Sequence, residues 1–285
     1  MMALSKPAQI LSAIGTRIGK PPGWERVVRR LIPPEHCGEM GALRLARDGV
    51  TFMTRPSHFL GWNVTFFGSY EPELRRIFRA VLPAGGTAID VGANTGWHTL
   101  LLARLAGENG RVLAVEPNPS VRVDLFENLE FNGFDRVEVI AAALSDAEGK
   151  LDFYGPAADD PGSGSGHVAT NGGGSAQTYA VECATLDKIV ADAKLDRLHL
   201  LKIDVEGFEW PVLKGGARTI AQFRPHIVFE YDAETAARGG ATPALLDEFF
   251  RTHRYKPMQT GRGEPRPIRS GHWPTWANVW AAPLD

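Results

Sequence analysis

Cysteines and long apolar runs are scarce in this sequence. Its 285 residues include two cysteines, Cys37 and Cys183, which lie far apart and outside any metal-ligand spacing. This scarcity argues against a disulfide framework, and a reducing cytoplasm is therefore the expected compartment. No apolar run approaches the ~20 residues of a membrane-spanning helix, and no secretory signal is recognisable, so we expect no membrane span.

An excess of charge of one sign is also missing. Lysine and arginine total 31 against 33 acidic residues, which gives a formal net charge of −2. Nothing in this balance points to nucleic acid as a partner. The apolar content of 44% and the length are typical of a globular protein with one large domain, or with one domain and an appendage.

The first 31 residues depart from this balance, because they hold six cations and one anion, Glu25. Two interpretations are open. The segment is either a solvated helical arm or a weak contact for a membrane surface or a partner, since apolar residues recur there at helical spacing. We treat residues 1–58 as an N-terminal extension and residues 59–285 as the main domain.

From about Phe59 onward, strand-like and helix-like segments alternate, which predicts βαβ units and a mostly parallel sheet. The predicted strands are 88–91, 111–116, 137–142, 179–183, 198–205, 226–230 and 276–281. The predicted helices are 71–81, 97–105, 119–129, 185–193, 209–213 and 243–251. Residues 155–175 are rich in glycine and almost free of large apolar side chains, which predicts a mobile loop. That loop is either a lid or a solvent-exposed insertion without a role.

The run Asp90-Val91-Gly92-Ala93-Asn94-Thr95-Gly96 joins a predicted strand to a predicted helix. Its glycines allow a sharp turn and a close approach of a ligand to the main chain. A dinucleotide-binding turn would place glycines where Asn94 and Trp97 stand, so the pattern is wrong for a pyrophosphate. Asp90 would repel phosphates but suits a ligand that carries an ammonium group and a sulfonium centre.

Two further motifs carry carboxylates at the ends of predicted strands. Glu116 can accept two hydrogen bonds from the vicinal hydroxyls of a ribose, although a surface glutamate would look the same in sequence. In Lys202-Ile203-Asp204-Val205-Glu206-Gly207-Phe208-Glu209, alternation along a strand predicts that Lys202, Asp204 and Glu206 share one face. The alternative is an ion pair between Lys202 and Asp204 that braces the entrance of the site.

Taken in order, these motifs resemble the FkbM family of S-adenosylmethionine-dependent methyltransferases over roughly residues 59–232. The Lys-x-Asp-x-Glu-Gly-x-Glu block is the most specific part of the resemblance. The other matching segments are Tyr70-Glu71-Pro72, the 90–96 turn, Val115-Glu116-Pro117, Ala143-Leu144-Ser145-Asp146, Thr185-Leu186-Asp187, Leu213-Lys214-Gly215, Arg224-Pro225 and Glu230. The resemblance implies a Rossmann-like class I methyltransferase fold, with a mostly parallel seven-stranded sheet flanked by helices.

The resemblance also implies S-adenosylmethionine as cofactor and, as acceptor, a hydroxyl of a sugar, a glycan or a polyketide. The turn and the carboxylate at the next strand tip assign cofactor binding to Asp90, Gly92, Ala93, Asn94, Gly96, Glu116 and Asn118. By resemblance, Glu71 joins this set in the entry segment, and Asp146 lies near the adenine.

Methyl transfer to an alcohol needs a group that takes the hydroxyl proton. Asp204 is the first candidate, Glu206 shares its face and could share the role, and His98 at the start of a helix is the next. Lys202 would keep Asp204 ionised but lower its basicity. As an alternative, Asp204, Glu206 and Glu230 could bind a Mg²⁺ that acidifies the hydroxyl.

Two rival functions stay open from the sequence. One is an NAD-dependent oxidoreductase on a similar sheet, against which Asn94 and Trp97 argue. The other is a binding protein without catalysis. Three tryptophans near the C-terminus, Trp273, Trp276 and Trp280, are either core residues or a platform for a sugar. The sequence leaves the acceptor and the oligomeric state open.

Overall fold

The computed structural model describes residues 6–18, 20–21, 23–34, 37, 41–45, 49–154, 167–168 and 178–285. Its helices are α1 (Lys6–Ile18), α2 (Trp24–Leu31), α3 (Phe59–Phe67), α4 (Pro72–Val81), α5 (Trp97–Ala106), α6 (Pro119–Asn132), α7 (Leu186–Asp192), α8 (Glu209–Gly215), α9 (Ala217–Phe223), α10 (Ala233–Arg238) and α11 (Pro243–Thr252). Its strands are β1 (Gly41–Leu45), β2 (Val50–Thr54), β3 (Thr87–Val91), β4 (Arg111–Val115), β5 (Val137–Ile140), β6 (Ala143–Leu144), β7 (Gly149–Tyr154), β8 (His167–Val168), β9 (Thr178–Ala184), β10 (Leu200–Ile203), β11 (His226–Asp232), β12 (Tyr255–Gln259), β13 (Arg266–Pro267) and β14 (Trp276–Pro283).

The central sheet has the strand order β13-β12-β14-β11-β10-β3-β4-β5. Strands β5, β4, β3, β10 and β11 are parallel, and β14 runs antiparallel to both of its neighbours. The chain proceeds outward from β3 through β4 to β5 and then returns to β10 and β11 on the other side of β3. This reversal between β3 and β10 is the topological switch point at which doubly wound sheets bind their ligands. The predicted Rossmann-like α/β class is therefore confirmed, with a two-residue strand as an eighth member at the edge.

Apolar residues on both faces of the central strands explain why helices cover both faces of this sheet. Every residue of β3 and β10 is buried, as expected for parallel strands between two helical layers. Alternate residues serve opposite faces. Ile89 and Leu201 pack with α7, α8, α9 and α11, whereas Ala88 and Leu200 pack with α4 and α5.

The N-terminal residues pack onto the main domain at two places. Helices α1 and α2 cover α3 through an apolar cluster that includes Val28, Trp62 and Phe66. The β1–β2 hairpin lies against α6, where the side-chain amides of Asn128 and Asn132 form hydrogen bonds with the backbone of β2. A boundary between residues 58 and 59 remains a prediction.

Several predicted bounds shift by one or two residues. The strand predicted to reach residue 205 ends at Ile203, because a turn follows it, and the helix predicted from Glu71 begins at Pro72. Of the predicted loop 155–175, only β8 is described, and it pairs with β7 in a second sheet of order β6-β9-β7-β8. The rest of that loop lies outside the described residues. Among the described helices, none combines the length and the apolar character that a bilayer crossing requires.

Candidate active site

A tight glycine turn connects β3 to α5 at the switch point. Gly92 has φ 75° and Gly96 has φ 95°, both in the left-handed region that favours glycine. A Cβ at Gly92 would lie 1.8 Å from the backbone oxygen of Asp204, so only glycine lets the turns after β3 and β10 approach this closely. The amides of Gly92 and Ala93 both donate to the carbonyl of Val115, which ties the turn to β4.

Glu116 follows β4 and organises the next part of the site. One carboxylate oxygen accepts the amide of Asn94 at 2.9 Å, and the other accepts the amide of Asn118 at 2.8 Å. The side chain is buried, and burial outweighs these hydrogen bonds and raises the pKa of Glu116 to about 7. Each carboxylate oxygen keeps a second lone pair, so the group can still accept hydroxyl donors from a ligand.

Asn118 presents a second polar group to the same place. Its side-chain oxygen caps α6 by accepting the amide of Ser120 at 3.0 Å. Its Nδ2 is buried and has no hydrogen-bond partner among the described residues. An unpartnered buried donor is costly, so this amide is available to a ligand.

These groups surround a cavity of about 350 Å³ at the carboxyl ends of β3, β4 and β10. Five of the predicted cofactor residues line it directly, together with the three predicted catalytic residues. These lining residues are Gly92, Ala93, Asn94, Asn118, Glu116, His98, Asp204 and Glu206. Gly96 lies behind them, at the start of α5. Apolar residues of α3 and β7, such as Leu60 and Phe153, complete the wall.

Lys202 connects the two turns at the cavity wall. Its buried Nζ lies 3.0 Å from Asp90 and 3.5 Å from Asp204, and it donates to the carbonyl oxygen of Gly92 at 3.2 Å. Burial lowers the pKa of Lys202, but the Asp90 and Asp204 carboxylates outweigh it and raise that pKa on balance. The predicted ion pair between Lys202 and Asp204 is thus present, and it extends to Asp90.

This network changes the expectation for Asp90. Its side chain is fully buried, accepts a 2.6 Å hydrogen bond from the hydroxyl of Thr99, and does not line the cavity. The expectation that Asp90 faces a cationic ligand directly is therefore wrong in this structure. The ion pair with Lys202 balances the charge of Asp90, so this carboxylate positions Lys202 and the turn instead.

The segment after β10 is a turn rather than a continuation of the strand. Glu206 has φ 54° and is exposed, so the alternation argument that placed it on the face of Lys202 does not apply. The buried carboxylate of Glu209 holds this turn, because one of its oxygens accepts the amides of Val205 at 3.0 Å and Gly207 at 3.2 Å. Sequence reasoning gave Glu209 no role of its own. Its position four residues after Val205, at the start of a helix, was the available signal.

A second buried network lies on the other side of the cavity. His98 Nε2 lies 2.9 Å from one carboxylate oxygen of Glu71, and the side-chain amide of Asn278 donates to the other oxygen at 2.7 Å. Burial raises the pKa of Glu71, but the hydrogen bond with His98 contributes to a net lowering. Nδ1 of His98 is buried without a partner among the described residues. Glu71 therefore orients His98 rather than lining the cavity itself.

Carboxylates crowd this end of the cavity. Burial is the largest cause that raises the pKa of Asp204, and it outweighs the opposing effect of Lys202. Desolvation by the surrounding protein, together with the charge of Asp204, raises the pKa of Glu206 at the cavity rim to about 6 and that of the half-buried Glu230 to about 8. Burial likewise raises the pKa of the Tyr70 hydroxyl, and the neighbouring carboxylates add to this shift. The charge of Lys202 lowers the pKa of Asp204, as the sequence predicts, but the burial of Asp204 outweighs this effect and the net pKa is raised.

The remaining candidates lie elsewhere. Asp146 is exposed, forms an ion pair with Lys214 and does not line the cavity, so nothing in the geometry supports its predicted place near the adenine. Trp273 packs in the core against Phe229 and donates to Asp247. Among the described residues, no group of three His, Cys, Asp or Glu side chains has a geometry that could hold a metal ion.

The fold and this site define a class of α/β proteins that bind a nucleoside at a switch point, with a glycine turn and a carboxylate at the adjacent strand tip. Residues 90–257, more than half of the chain, match the family model of the methyltransferase FkbM domain. The chain therefore belongs to the FkbM methyltransferase family, and S-adenosylmethionine is its cofactor. This membership confirms the predicted family and decides against the oxidoreductase alternative.

Three relatives with assigned names are similar to this chain. The AMB antimetabolite synthetase AmbE of Pseudomonas aeruginosa is 30% identical over 209 residues, which cover 62% of this chain and 10% of AmbE. The 2-O-methyltransferase NoeI of Sinorhizobium fredii is 28% identical over 162 residues, covering 53% of this chain and 65% of NoeI. The hexuronic acid methyltransferase AglP of Haloferax volcanii is 33% identical over 131 residues, covering 44% of this chain and 48% of AglP. The chain thus spans less than two thirds of each relative.

Proposed function

We propose that this protein transfers a methyl group from S-adenosylmethionine to a hydroxyl oxygen of a sugar, a glycan or a polyketide-type natural product. The observation that carries the proposal is the close approach of Gly92 and Asp204 on one cavity wall. The cofactor-binding turn and a carboxylate of raised pKa thereby meet at one place. A hydroxyl bound beside Asp204 would face a methyl group held over the turn.

The residues of the switch point fit the cofactor. Glu116 would accept the ribose hydroxyls with its second lone pairs, and the unpartnered Nδ2 of Asn118 would donate to the nucleoside. The small side chains at Gly92 and Ala93 would let the cofactor approach the main chain closely. When bound, S-adenosylmethionine supplies an electrophilic methyl group on a sulfonium centre, and the carboxylates nearby favour that positive charge.

Asp204 is the first candidate for the proton acceptor. An alcohol is a poor nucleophile, and a positioned base typically contributes ~10²–10⁴-fold to its reaction. Asp204 is partly exposed to the cavity, and Lys202 holds it in place from below. Its raised pKa makes it a stronger base than an ordinary aspartate, which suits this role.

His98 is the second candidate, and its surroundings give a specific reason. Glu71 binds Nε2 and leaves Nδ1 as the ring nitrogen that could take a proton. A carboxylate that fixes one nitrogen of a histidine selects its tautomer and orients the ring. Glu206 is exposed at the rim, so we assign it to holding the acceptor rather than to proton transfer.

The relatives support an oxygen acceptor on a sugar. NoeI is named as a 2-O-methyltransferase and AglP as a hexuronic acid methyltransferase. AmbE is named as an antimetabolite synthetase, and it supports a natural product as the alternative acceptor class.

The test is methyl transfer from S-adenosylmethionine carrying a ¹³C-labelled methyl group to a panel of glycosides and hydroxylated polyketides. The carbon chemical shift of the product distinguishes an O-methyl group from N-, S- and C-methyl groups. Product methylated only at nitrogen, sulfur or carbon would refute the proposal.

The proton acceptor is tested separately. Asp204→Asn should bind S-adenosylhomocysteine normally while turnover falls at least about tenfold. Asp196→Asn is the matched control, because the Asp196 side chain is 85% exposed and remote from the cavity. Near-normal turnover in Asp204→Asn would assign the proton to His98, which would then be replaced by glutamine.

A further inference from the structure

Trp276 differs from the other tryptophans near the C-terminus. It begins β14 opposite Asp232, and 52% of its surface is exposed. Trp273 packs in the core, and the indole N–H of Trp280 donates to His226. Exposure alone does not mark a binding site, because single exposed rings such as Phe126 are ordinary on a protein surface. What distinguishes Trp276 is the partner of its indole N–H.

The exposed ring is held at a fixed angle by a residue of the cavity. The indole N–H of Trp276 donates to Oε1 of Glu230 at 2.5 Å, and Glu230 lines the cavity. On its inner side Glu230 is close enough to Asp204 for their charges to interact. Trp276, which lies outside the cavity lining, is thus connected through Glu230 to Asp204, the proposed proton acceptor.

Carboxyl groups dominate the part of the cavity around Glu230. Glu71, Asp204, Glu206 and Glu230 surround the inner end, and Lys202, the cation beside them, is engaged by Asp90. The raised pKa values of Glu206 and Glu230 are what such crowding and burial produce. A further anion brought into this end would be repelled and desolvated at once.

A neutral sugar can contact both the indole of Trp276 and the carboxyl groups of the cavity. One face of a sugar ring carries C–H groups that can pack on an indole, while its hydroxyls form hydrogen bonds with carboxyl groups. His98 supplies a further partner, because it lines the cavity, is more than nine-tenths buried and keeps an unpartnered Nδ1. An extended apolar acceptor would leave these polar groups without partners, which is costly.

We propose that Trp276 and Glu230 form the outer acceptor subsite, which takes one neutral sugar ring and rejects uronic acids and other acidic sugars. This inference rests on the proposed function and narrows it. The proposed substrate is neutral, whereas the relative AglP is named for hexuronic acid, which is charged.

The experiment measures sugar binding by saturation-transfer NMR to the protein saturated with S-adenosylhomocysteine. The probes are methyl glycosides of glucose, galactose, mannose, fucose and rhamnose, together with the uronic acid counterparts of the glucoside and the galactoside. We expect at least one neutral glycoside to bind. If it is the glucoside or the galactoside, its uronic acid counterpart should bind at least about tenfold more weakly; for any other neutral glycoside, both uronic acids should bind at least about tenfold more weakly. At about pH 9, where Glu230 with its pKa of about 8 is ionised, Glu230→Gln should narrow that gap because it removes one of the repelling carboxylates.

The platform is tested with paired variants. Trp276→Ala should weaken binding of the neutral glycoside by about tenfold or more, and Trp276→Phe should weaken it less because a ring remains. Phe126→Ala on α6 is the matched control, since Phe126 is 53% exposed and far along the chain from this subsite. Thermal unfolding would verify that each variant folds.

Equal binding of acidic and neutral glycosides, or binding that is unaffected in Trp276→Ala, would overturn the inference. Binding of none of the probes, while S-adenosylhomocysteine binds and a polyketide hydroxyl is methylated, would also overturn it and would leave the proposed function intact. Failure of S-adenosylhomocysteine to bind would instead contradict the proposed function.

Discussion

Replacing Glu116 by alanine should weaken the binding of S-adenosylhomocysteine by at least about tenfold. Glu116 accepts the amides of Asn94 and Asn118, and its free lone pairs face the cavity where the ribose is proposed to lie. A hydrogen bond to a charged group contributes ~1.5–3 kcal/mol, and 1.4 kcal/mol corresponds to a tenfold change in affinity. Loss of one bond therefore predicts a decrease of roughly tenfold to a hundredfold, and loss of two predicts more.

The pH dependence of binding gives an independent measure of the same contact. Burial raises the pKa of Glu116 to about 7, whereas ribose hydroxyls would donate to its ionised form. Affinity should be full above this pKa and should decrease as the pH falls through it. At pH 6 only about a tenth of the groups are ionised, so affinity should be about tenfold lower than at pH 8. The dependence should disappear in Glu116→Gln, which cannot ionise.

Isothermal calorimetry from pH 6 to pH 8 measures both effects. Glu116→Ala also leaves the amides of Asn94 and Asn118 without an acceptor, so titrations must be run well below the unfolding temperature of the variant. Glu182→Ala is the matched control, because Glu182 is an exposed glutamate that pairs with Lys150 on a neighbouring strand. An unchanged dissociation constant in a folded Glu116→Ala variant, or pH-independent binding in the wild type, would refute the assignment.

Three further outcomes follow from the geometry of the site. Glu209→Ala should lower the midpoint of thermal unfolding by several degrees, since each amide left unsatisfied at Val205 and Gly207 costs ~1–3 kcal/mol, and an unchanged midpoint would contradict the role of Glu209. Gly92→Ala should abolish cofactor binding or folding, because its Cβ would lie 1.8 Å from the backbone oxygen of Asp204; a folded variant with normal affinity would show that the turn can relax. Treatment with EDTA should leave methyl transfer unchanged, whereas activity lost to EDTA and restored by Mg²⁺ would establish the metal alternative.

Local patterns were sufficient for the scaffold of the site. Alternating strands and helices predicted the α/β class, because the period of apolar residues and the glycine turns are properties of short segments. The glycine pattern after β3 and the carboxylate of Glu116 after β4 also follow from short segments. The carboxyl ends of parallel strands meet at one edge of a sheet, so both features were expected beside a ligand, and both line the cavity.

The partners of the charged residues were decided by the tertiary structure alone. Asp90 was expected to face the ligand, but it is buried behind the cavity wall and forms an ion pair with Lys202, 112 positions later in the chain. Asn278 reaches Glu71 across 207 positions, and no local pattern marks that contact. Periodicity tells which face of a strand a side chain occupies, but not which distant group meets it there. The sequence by itself therefore determined the α/β sheet and the turn that can hold a nucleoside, whereas the packing of β10 and β14 against β3 and α4 decided which carboxylates remain available for chemistry.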